Sequence, residues 1–286
     1  MSRAADPMLL QRVVTALALL PFVLGTLWFG STALVTTVFG IVVLAGAYEW
    51  ASLTLRTTTD GGRNDRAARI FYVAAAALIL AAVVVLRDTA LTDALIVATC
   101  LWWVAMLRWI ATYPAQFTET KPPRWVKVGA GLVVIPGTIA AVGMLHAAEQ
   151  GALRLMFALF LIWAADVGAY FAGRAFGKHK LAPKVSPGKS WEGVYGGVAL
   201  SLVIAGIGGH FLFNLSAAQW LPFLLLCVAV VLFSIVGDLG ESLLKRHVGA
   251  KDSGTLLPGH GGMLDRIDSL LAALPALAIG LRWLSL

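Results

Sequence analysis

Residues 219–237 read QWLPFLLLCVAVVLFSIVG, a run that contains no charged side chain. At about 1.5 Å of rise per residue, a helix of this length spans the ~30 Å of hydrocarbon in a bilayer. A helix also satisfies its own backbone hydrogen bonds in lipid, which an open sheet cannot do. The stretch therefore predicts a transmembrane helix.

The same pattern recurs along the chain, which has 286 residues, 59% of them hydrophobic and 13% charged. The apolar fraction exceeds the roughly 45–50% typical of soluble domains. We predict an all-α fold, a polytopic membrane bundle of about nine transmembrane helices without a separate soluble domain. The nine apolar segments lie at about 13–29, 32–55, 70–86, 92–112, 126–146, 152–173, 193–213, 219–237 and 266–284. The first is expected to be retained, because no convincing small-residue cleavage site follows it.

The basic residues predict the orientation of the bundle. Of the 22 Lys and Arg residues, all but Arg87, Arg154 and Arg282 fall in the N-terminal arm and alternate connections. Because Lys and Arg concentrate on the cytoplasmic side, we expect a cytoplasmic N-terminus and an outside C-terminus. The net charge of +7 then indicates basic cytoplasmic loops and affinity for anionic lipid, so no nucleic-acid partner is expected. Cys100 and Cys227 lie in apolar runs and have no metal or disulfide spacing.

Clustered polar residues divide the chain near residue 150, with spans 1–5 in 1–150 and spans 6–9 with the informative loops in 151–286. Asp166 lies inside the sixth segment, at an insertion cost of ~2.5–3.5 kcal/mol near the bilayer centre. Tyr170 and Gly173 share its helix face. A structural hydrogen bond or a salt bridge to a loop lysine would explain Asp166, but a functional role is preferred.

A basic loop with glycines and prolines follows, over residues 174–193. Ser186-Pro187 resembles a helix start, with serine as the N-cap and proline at the first helical position. Free amides of that turn and Lys189 would then face one anion. The alternative is a simple positive-inside anchor.

After the eighth segment, four polar residues are spaced as i, i+3, i+4 and i+7, and on a helix they would form one stripe. They are Asp238, Glu241, Ser242 and Lys245, and Arg246 follows them directly. The chain then passes through a glycine-rich stretch that can approach a ligand closely. Carboxylate oxygens suit Mg²⁺, and basic side chains pair with phosphates. We predict a triphosphate site, although neither a Walker loop nor a strand-borne GxGxxG is present.

The pattern Ser242-x2-Lys245-Arg246-x4-Lys251-Asp252-x-Gly254, followed by His260-Gly261-Gly262-x2-Asp265-Arg266-x-Asp268, resembles the signature of the phosphatidate cytidylyltransferases. The resemblance implies transfer of CMP from CTP to phosphatidate, with a divalent metal. It also implies that Asp238 and Asp265 carry metal, that Ser242 helps at the metal or phosphate, and that Lys245 and Arg246 bind phosphate.

The remaining predicted site residues complete this arrangement. Lys251, Gly261, Gly262 and Arg266 are further phosphate-site candidates, and Asp166 and Asp268 are further metal candidates. His260 either moves a proton or only bonds its loop. Mg²⁺ is the expected cofactor, and whether a monovalent cation accompanies it is left open.

The expected partners are CTP and phosphatidate in the cytoplasmic leaflet of the inner membrane, and a homodimer is plausible for this class of protein. The alternatives are a CTP-dependent polyprenol kinase, which differs in its acceptor, and a transporter, which would spread polar residues through the membrane depth. The DGxxAR motif of CDP-alcohol phosphotransferases is missing.

Overall fold

The computed structural model describes residues 21, 23–55, 66–113, 122–256 and 261–286. A helical stretch at 23–29 precedes the first long helix. The elements that follow are α1 (Thr32–Leu55), α2 (Arg66–Val85), α3 (Ala90–Thr112), α4 (Arg124–Ala147), α5 (Gly151–Phe176), β1 (Lys180–Ala182), β2 (Ser186–Ser190), α6 (Trp191–Phe211), α7 (Ala217–His247) and α8 (Leu264–Trp283).

The helices coincide with the predicted apolar segments from the second to the ninth, so the helical architecture is confirmed. Within the described ranges, seven helices, α1 to α7, are long and apolar enough to cross a membrane. Helix α8 has 20 residues but carries charged groups at both ends. Most of segment 13–29 lies outside the described residues, and the count of nine spans stays a prediction.

The outer surface of the bundle is apolar, as expected for a protein whose solvent is lipid. Large hydrophobic side chains are exposed on several helices, including Phe29, Phe71, Leu78 and Phe211, each more than 70% exposed. A water-soluble monomer rarely exposes such a continuous apolar area. The exposed side chains therefore favour burial of these helices in a bilayer.

Helix α8 is the centre of the bundle, because it packs against α1, α3, α4, α5 and α7. Its residues from Leu271 to Ile279 are buried on every side. Pro275 has no N–H, so the Leu271 carbonyl loses its helical donor. Trp103 Nε1 donates to that carbonyl oxygen at 3.0 Å and Thr138 Oγ at 3.3 Å, so α3 and α4 are fastened to α8 at the proline.

Glycines let two pairs of helices approach closely at the level of the polar residues. A Cβ added to Gly196 of α6 would lie 2.7 Å from the Gly168 carbonyl oxygen of α5. A Cβ on Gly237 of α7 would collide with the Asp268 carbonyl oxygen of α8. Small residues at membrane helix crossings commonly serve this purpose, and here the crossings bring carboxylates on α5, α7 and α8 near one another.

The basic loop forms a β-hairpin, which the all-α prediction did not include. Strands β1 and β2 are antiparallel, and buried Val185 between them packs against Leu239 and Leu243 of α7. The predicted helix start at Ser186 is wrong, because Ser186 begins β2. The N-cap of α6 is Ser190, whose Oγ accepts from the Gly193 N–H at 3.2 Å.

Helix α7 continues well beyond the predicted segment, which ended at residue 237. The buried apolar positions Leu239, Leu243 and Leu244 extend its packed face to the last turn. The prediction that Asp238 follows the eighth segment at the end of its helix is wrong, because it lies inside α7. The predicted stripe at helical spacing is confirmed, because the helix continues to His247.

The bond at the α8 proline gives a stability prediction. Replacing Trp103 by Phe removes the Nε1–H donor to Leu271, and we expect a loss of about 0.5–1.5 kcal/mol, typical of one net hydrogen bond. Trp102→Phe is the matched control, because the Trp102 Nε1 is buried without a hydrogen-bond partner. Thermal unfolding of the purified protein in detergent should show a lower Tm for Trp103→Phe alone. Equal shifts in both variants would contradict this account.

Candidate active site

A cavity of about 230 Å³ opens among α5, β2, α6, α7 and α8. Its lining includes Asp166 and Tyr170 from α5, Lys189 from β2, Asp238 from α7 and Ser269 from α8. Lys189 Nζ lies 2.8 Å from Asp238 Oδ2. Polar residues predicted from three separate stretches of sequence therefore line one cavity.

Carboxylates outnumber cations around this cavity. Asp166 lies close enough to Lys189 and Asp238 for electrostatic interaction with both. Asp268 of α8 likewise interacts with Asp238 and Lys189. Asp268 also interacts with Lys245, so three carboxylates share two ammonium groups, and negative charge and hard oxygen atoms are in surplus. Such a donor set is suited to a divalent cation such as Mg²⁺.

A second cluster is centred on Asp265 in the first turn of α8. Lys245 Nζ lies 2.5 Å from Asp265 Oδ1 and also contacts Glu241 Oε2. Asp265 Oδ2 accepts from the backbone N–H groups of Ser253 and Gly262, each at 3.0 Å. Both oxygens of this carboxylate are therefore fixed by α7 and by the loop between α7 and α8.

Glu241 is a member of this cluster that the sequence analysis placed in the stripe without a role. It is only 1% exposed, and its Oε1 has no hydrogen-bond partner. Burying such an oxygen is costly unless another group binds it. A cation or a donor from a substrate would satisfy it.

Two further predicted site residues on α7, Ser242 and Arg246, make longer hydrogen bonds than Lys245 does. Ser242 Oγ lies 3.5 Å from Asp238 Oδ1, at the upper limit for a hydrogen bond. Arg246 Nε donates to the Val185 carbonyl at 3.2 Å, and its Nη1 lies 3.4 Å from the Ala250 carbonyl. In this geometry Arg246 fastens the hairpin to α7, and its role toward phosphate stays a prediction.

The N-terminal half, to which the sequence analysis gave no role, contributes a second cavity of about 440 Å³. Tyr48, Glu49 and Arg69 line it together with the predicted residue Lys251 and its neighbour Asp252. The Arg69 guanidinium lies 4.3 Å from the centroid of the Tyr48 ring. Glu49 carried a signal in the sequence, because it is a carboxylate inside an apolar segment, as Asp166 is.

The other predicted residues are distributed around these clusters. Gly261 has φ +84°, a conformation that favours glycine, and this lets the chain turn into α8. Ser186 and Arg266 line neither cavity. His260 lies outside the described residues. Among the residues that are described, no three His, Cys, Asp or Glu side chains are grouped closely enough to hold a metal by themselves.

Together the fold and the site define a membrane-embedded enzyme with lysines paired to carboxylates at one end of a helical bundle, where the Lys189–Asp238 pair lines a cavity. The chain belongs to the cytidylyltransferase family, whose model matches residues 10–284. This confirms the resemblance seen in the signature.

Individual relatives agree with the family. A protein named phosphatidate cytidylyltransferase from Pseudomonas aeruginosa is 43% identical over 271 residues, which cover 95% of this chain and 96% of the relative. Proteins of the same name from Haemophilus influenzae and Brucella suis are 38% and 36% identical. The match to the Haemophilus protein covers 94% of this chain and 96% of the relative. The match to the Brucella protein covers 92% of this chain and 89% of the relative. The similarity thus extends over both halves of the chain.

Proposed function

We infer that this chain transfers the CMP group of CTP to phosphatidate, giving CDP-diacylglycerol and pyrophosphate. The observation that carries this inference is the 43% identity to a phosphatidate cytidylyltransferase over 95% of the chain. The geometry supports it, because cationic side chains and carboxylates from five helices and the hairpin gather at one end of an apolar bundle.

The reaction needs cations more than it needs a base. The second pKa of a phosphate monoester is about 6, so the lipid phosphate is mostly ionised at neutral pH. One of its oxygens attacks the α-phosphorus of CTP, a new P–O bond forms, and the bond to the β-phosphate breaks to release pyrophosphate. The barrier comes from bringing two anions together and from charge on the leaving group.

Lys189 and Lys245 are suited to bind and orient those anions. Each ammonium is held by a carboxylate, Lys189 by Asp238 and Lys245 by Asp265. A cation fixed before the substrate arrives needs little reorganisation during the reaction. Arg69 and Lys251 in the second cavity offer further positive charge within reach of the loop that binds Asp265.

Mg²⁺ is proposed as the cofactor, held by Asp238 and Asp265 with Asp166 and Asp268 as further candidates. The oxygen-rich set around the first cavity and the unpartnered Glu241 Oε1 fit a hard divalent cation. Mg²⁺ usually takes only one or two carboxylates and completes its shell with water and substrate phosphates, so a three-residue protein cluster is not required. When bound, it would stabilise negative charge on the transferring phosphate.

The proposed location is the inner membrane, with the site at the cytoplasmic face. CTP is cytosolic, and phosphatidate would enter from the adjacent leaflet. The cavities lie at the end of the bundle where α1 ends and α2 begins, which the Lys and Arg pattern predicts to be cytoplasmic. We also retain the expected homodimer, which cross-linking in native membranes would reveal.

The function is tested with purified protein in detergent, labelled CTP, Mg²⁺ and either phosphatidate or a polyprenol as the acceptor. We expect labelled CDP-diacylglycerol and one equivalent of pyrophosphate with phosphatidate, and no reaction with the polyprenol. Phosphorylated polyprenol without CDP-diacylglycerol would identify the alternative enzyme and contradict the proposal.

The metal proposal is tested by Asp238→Asn and Asp265→Asn. We expect each to lower kcat by at least about a hundredfold, comparable with removal of one preorganised electrostatic group, while the protein stays folded. Asp93→Asn is the control, because Asp93 pairs with Arg282 at 2.8 Å at the opposite end of the bundle. Near-wild-type rates of the two site variants at saturating Mg²⁺ would remove these carboxylates from the metal site.

Topology is tested with reporters fused after Leu286. We expect alkaline phosphatase, which is active only outside the cytoplasm, to be active in this fusion, and a green fluorescent reporter to be dark. The opposite pattern would overturn the predicted orientation, because Lys and Arg would then be concentrated on the outside.

A further inference from the structure

Glu49 is a buried carboxylate near the end of α1, far in sequence from every predicted site residue. It is 2% exposed and lies in an otherwise apolar helix. An ionisable group in such a helix is costly to insert, and it is usually retained for a specific partner. The partners of Glu49 are therefore informative about its role.

Those partners belong to the loop and helix that carry Asp265. Glu49 Oε2 accepts from the Leu264 N–H at 2.8 Å and lies 2.8 Å from Ser253 Oγ. Ser253 Oγ lies 2.9 Å from Asp265 Oδ2, and the Ser253 N–H donates to the same oxygen at 3.0 Å. Glu49 thus reaches Asp265 through a single residue.

Glu49 also supplies a cap that α8 lacks in its own sequence. The N-cap residue Met263 has no side chain able to cap, and no side-chain cap bond is formed there. The first N–H groups of a helix need acceptors, and a carboxylate there is stabilised by the helix dipole. Glu49 provides this acceptor from another helix, and so fixes the turn that contains Asp265.

Two glycines of the signature pack closely against this carboxylate and its partner Ser253. A Cβ on Gly254 would collide with Glu49 Oε1, and a Cβ on Gly262 would collide with Ser253 Oγ and crowd Glu49 Oε2. The backbone on both sides of the loop therefore closes around Glu49. Glycine is required at both positions because the backbone lies too close to the Glu49 and Ser253 side chains to leave room for a Cβ atom.

We infer that Glu49 is a positioning residue for cytidylyl transfer, which holds Ser253 and the first turn of α8 so that Asp265 faces Lys245. Its assigned role is exerted through Ser253 and Leu264, and no contact with the substrate is assigned to it. The inference rests on the role proposed above for Asp265, and it assigns a functional residue to the N-terminal half of the chain.

The test compares Glu49→Ala and Glu49→Gln with the control Thr54→Val. The control lies on the same helix, and the Thr54 hydroxyl donates to the Trp50 carbonyl within that helix. Loss of alignment by about 1 Å can cost on the order of a hundredfold in rate. We expect Glu49→Ala to lower kcat about tenfold to a hundredfold with little change in KM for CTP, and Glu49→Gln, which keeps an acceptor, to stay within about threefold.

Two readouts separate positioning from a loss of stability. Because Glu49 acts through Ser253, the effects of Glu49→Ala and Ser253→Ala on ln kcat should be non-additive, with the double variant close to the slower single variant. Amide exchange at Leu264 should be faster in Glu49→Ala and unchanged in Glu49→Gln and Thr54→Val. If Glu49→Ala does not accumulate, Glu49→Asp, shorter by one methylene, gives the same comparison.

Different outcomes test the role of Glu49, the role of Asp265 and the proposed function separately. A wild-type kcat in Glu49→Ala, or multiplicative losses with Ser253→Ala, overturns the role of Glu49 while Asp265→Asn remains inactive. Wild-type activity in Asp265→Asn overturns this inference together with the role of Asp265. Failure of the unaltered protein to form CDP-diacylglycerol contradicts the proposed function itself.

Discussion

The carboxylate of Asp265 is the contact on which the polar end of the bundle depends. Its Oδ1 meets Lys245 of α7 and its Oδ2 accepts from Ser253 and Gly262 of the intervening loop. Because Ser253 also meets Glu49, α1, α7 and the intervening loop are all joined to this one side chain of α8. Within the described part of the loop, Ser253 and Gly262 are held by these bonds, and Gly254 is held by close packing against Glu49.

Pairing of opposite charges makes this geometry compatible with an apolar bundle. Lys245 contacts Glu241 and Asp265, and Lys189 contacts Asp238. An isolated ion at these positions would carry a large desolvation cost, whereas a paired ion carries less. The pairs therefore allow several charged groups to lie within helices of a membrane protein. They also fix the two ammonium groups in advance, which is the arrangement that electrostatic catalysis requires.

Sequence patterns predicted the helices and part of the site well, because both depend on local spacing. Apolar runs located the helices, and the exceptional polarity of Asp166 and Asp238 identified two residues that line one cavity. The incorrect helix cap at Ser186 shows where local patterns fail. The conformation of that segment is determined by the pairing of β2 with β1 and by the burial of the hairpin on α7. The contact of Glu49 with Ser253 spans 204 residues of sequence, and no local pattern encodes a partner at that distance.

The opposite half of the bundle explains why the site is better suited to an enzyme than to a transport pathway. Phe157, Phe223 and Leu277, each at most 5% exposed, belong to a continuous apolar core there. Among the described residues, the ion pair of Arg282 with Asp93 lies beyond this core, at the far end. A pathway would need polar groups through the full depth, whereas here they stop within α5 and α7. Reactants that enter from one end must therefore leave from the same end or sideways into lipid, which suits the soluble CTP and pyrophosphate and the two lipids.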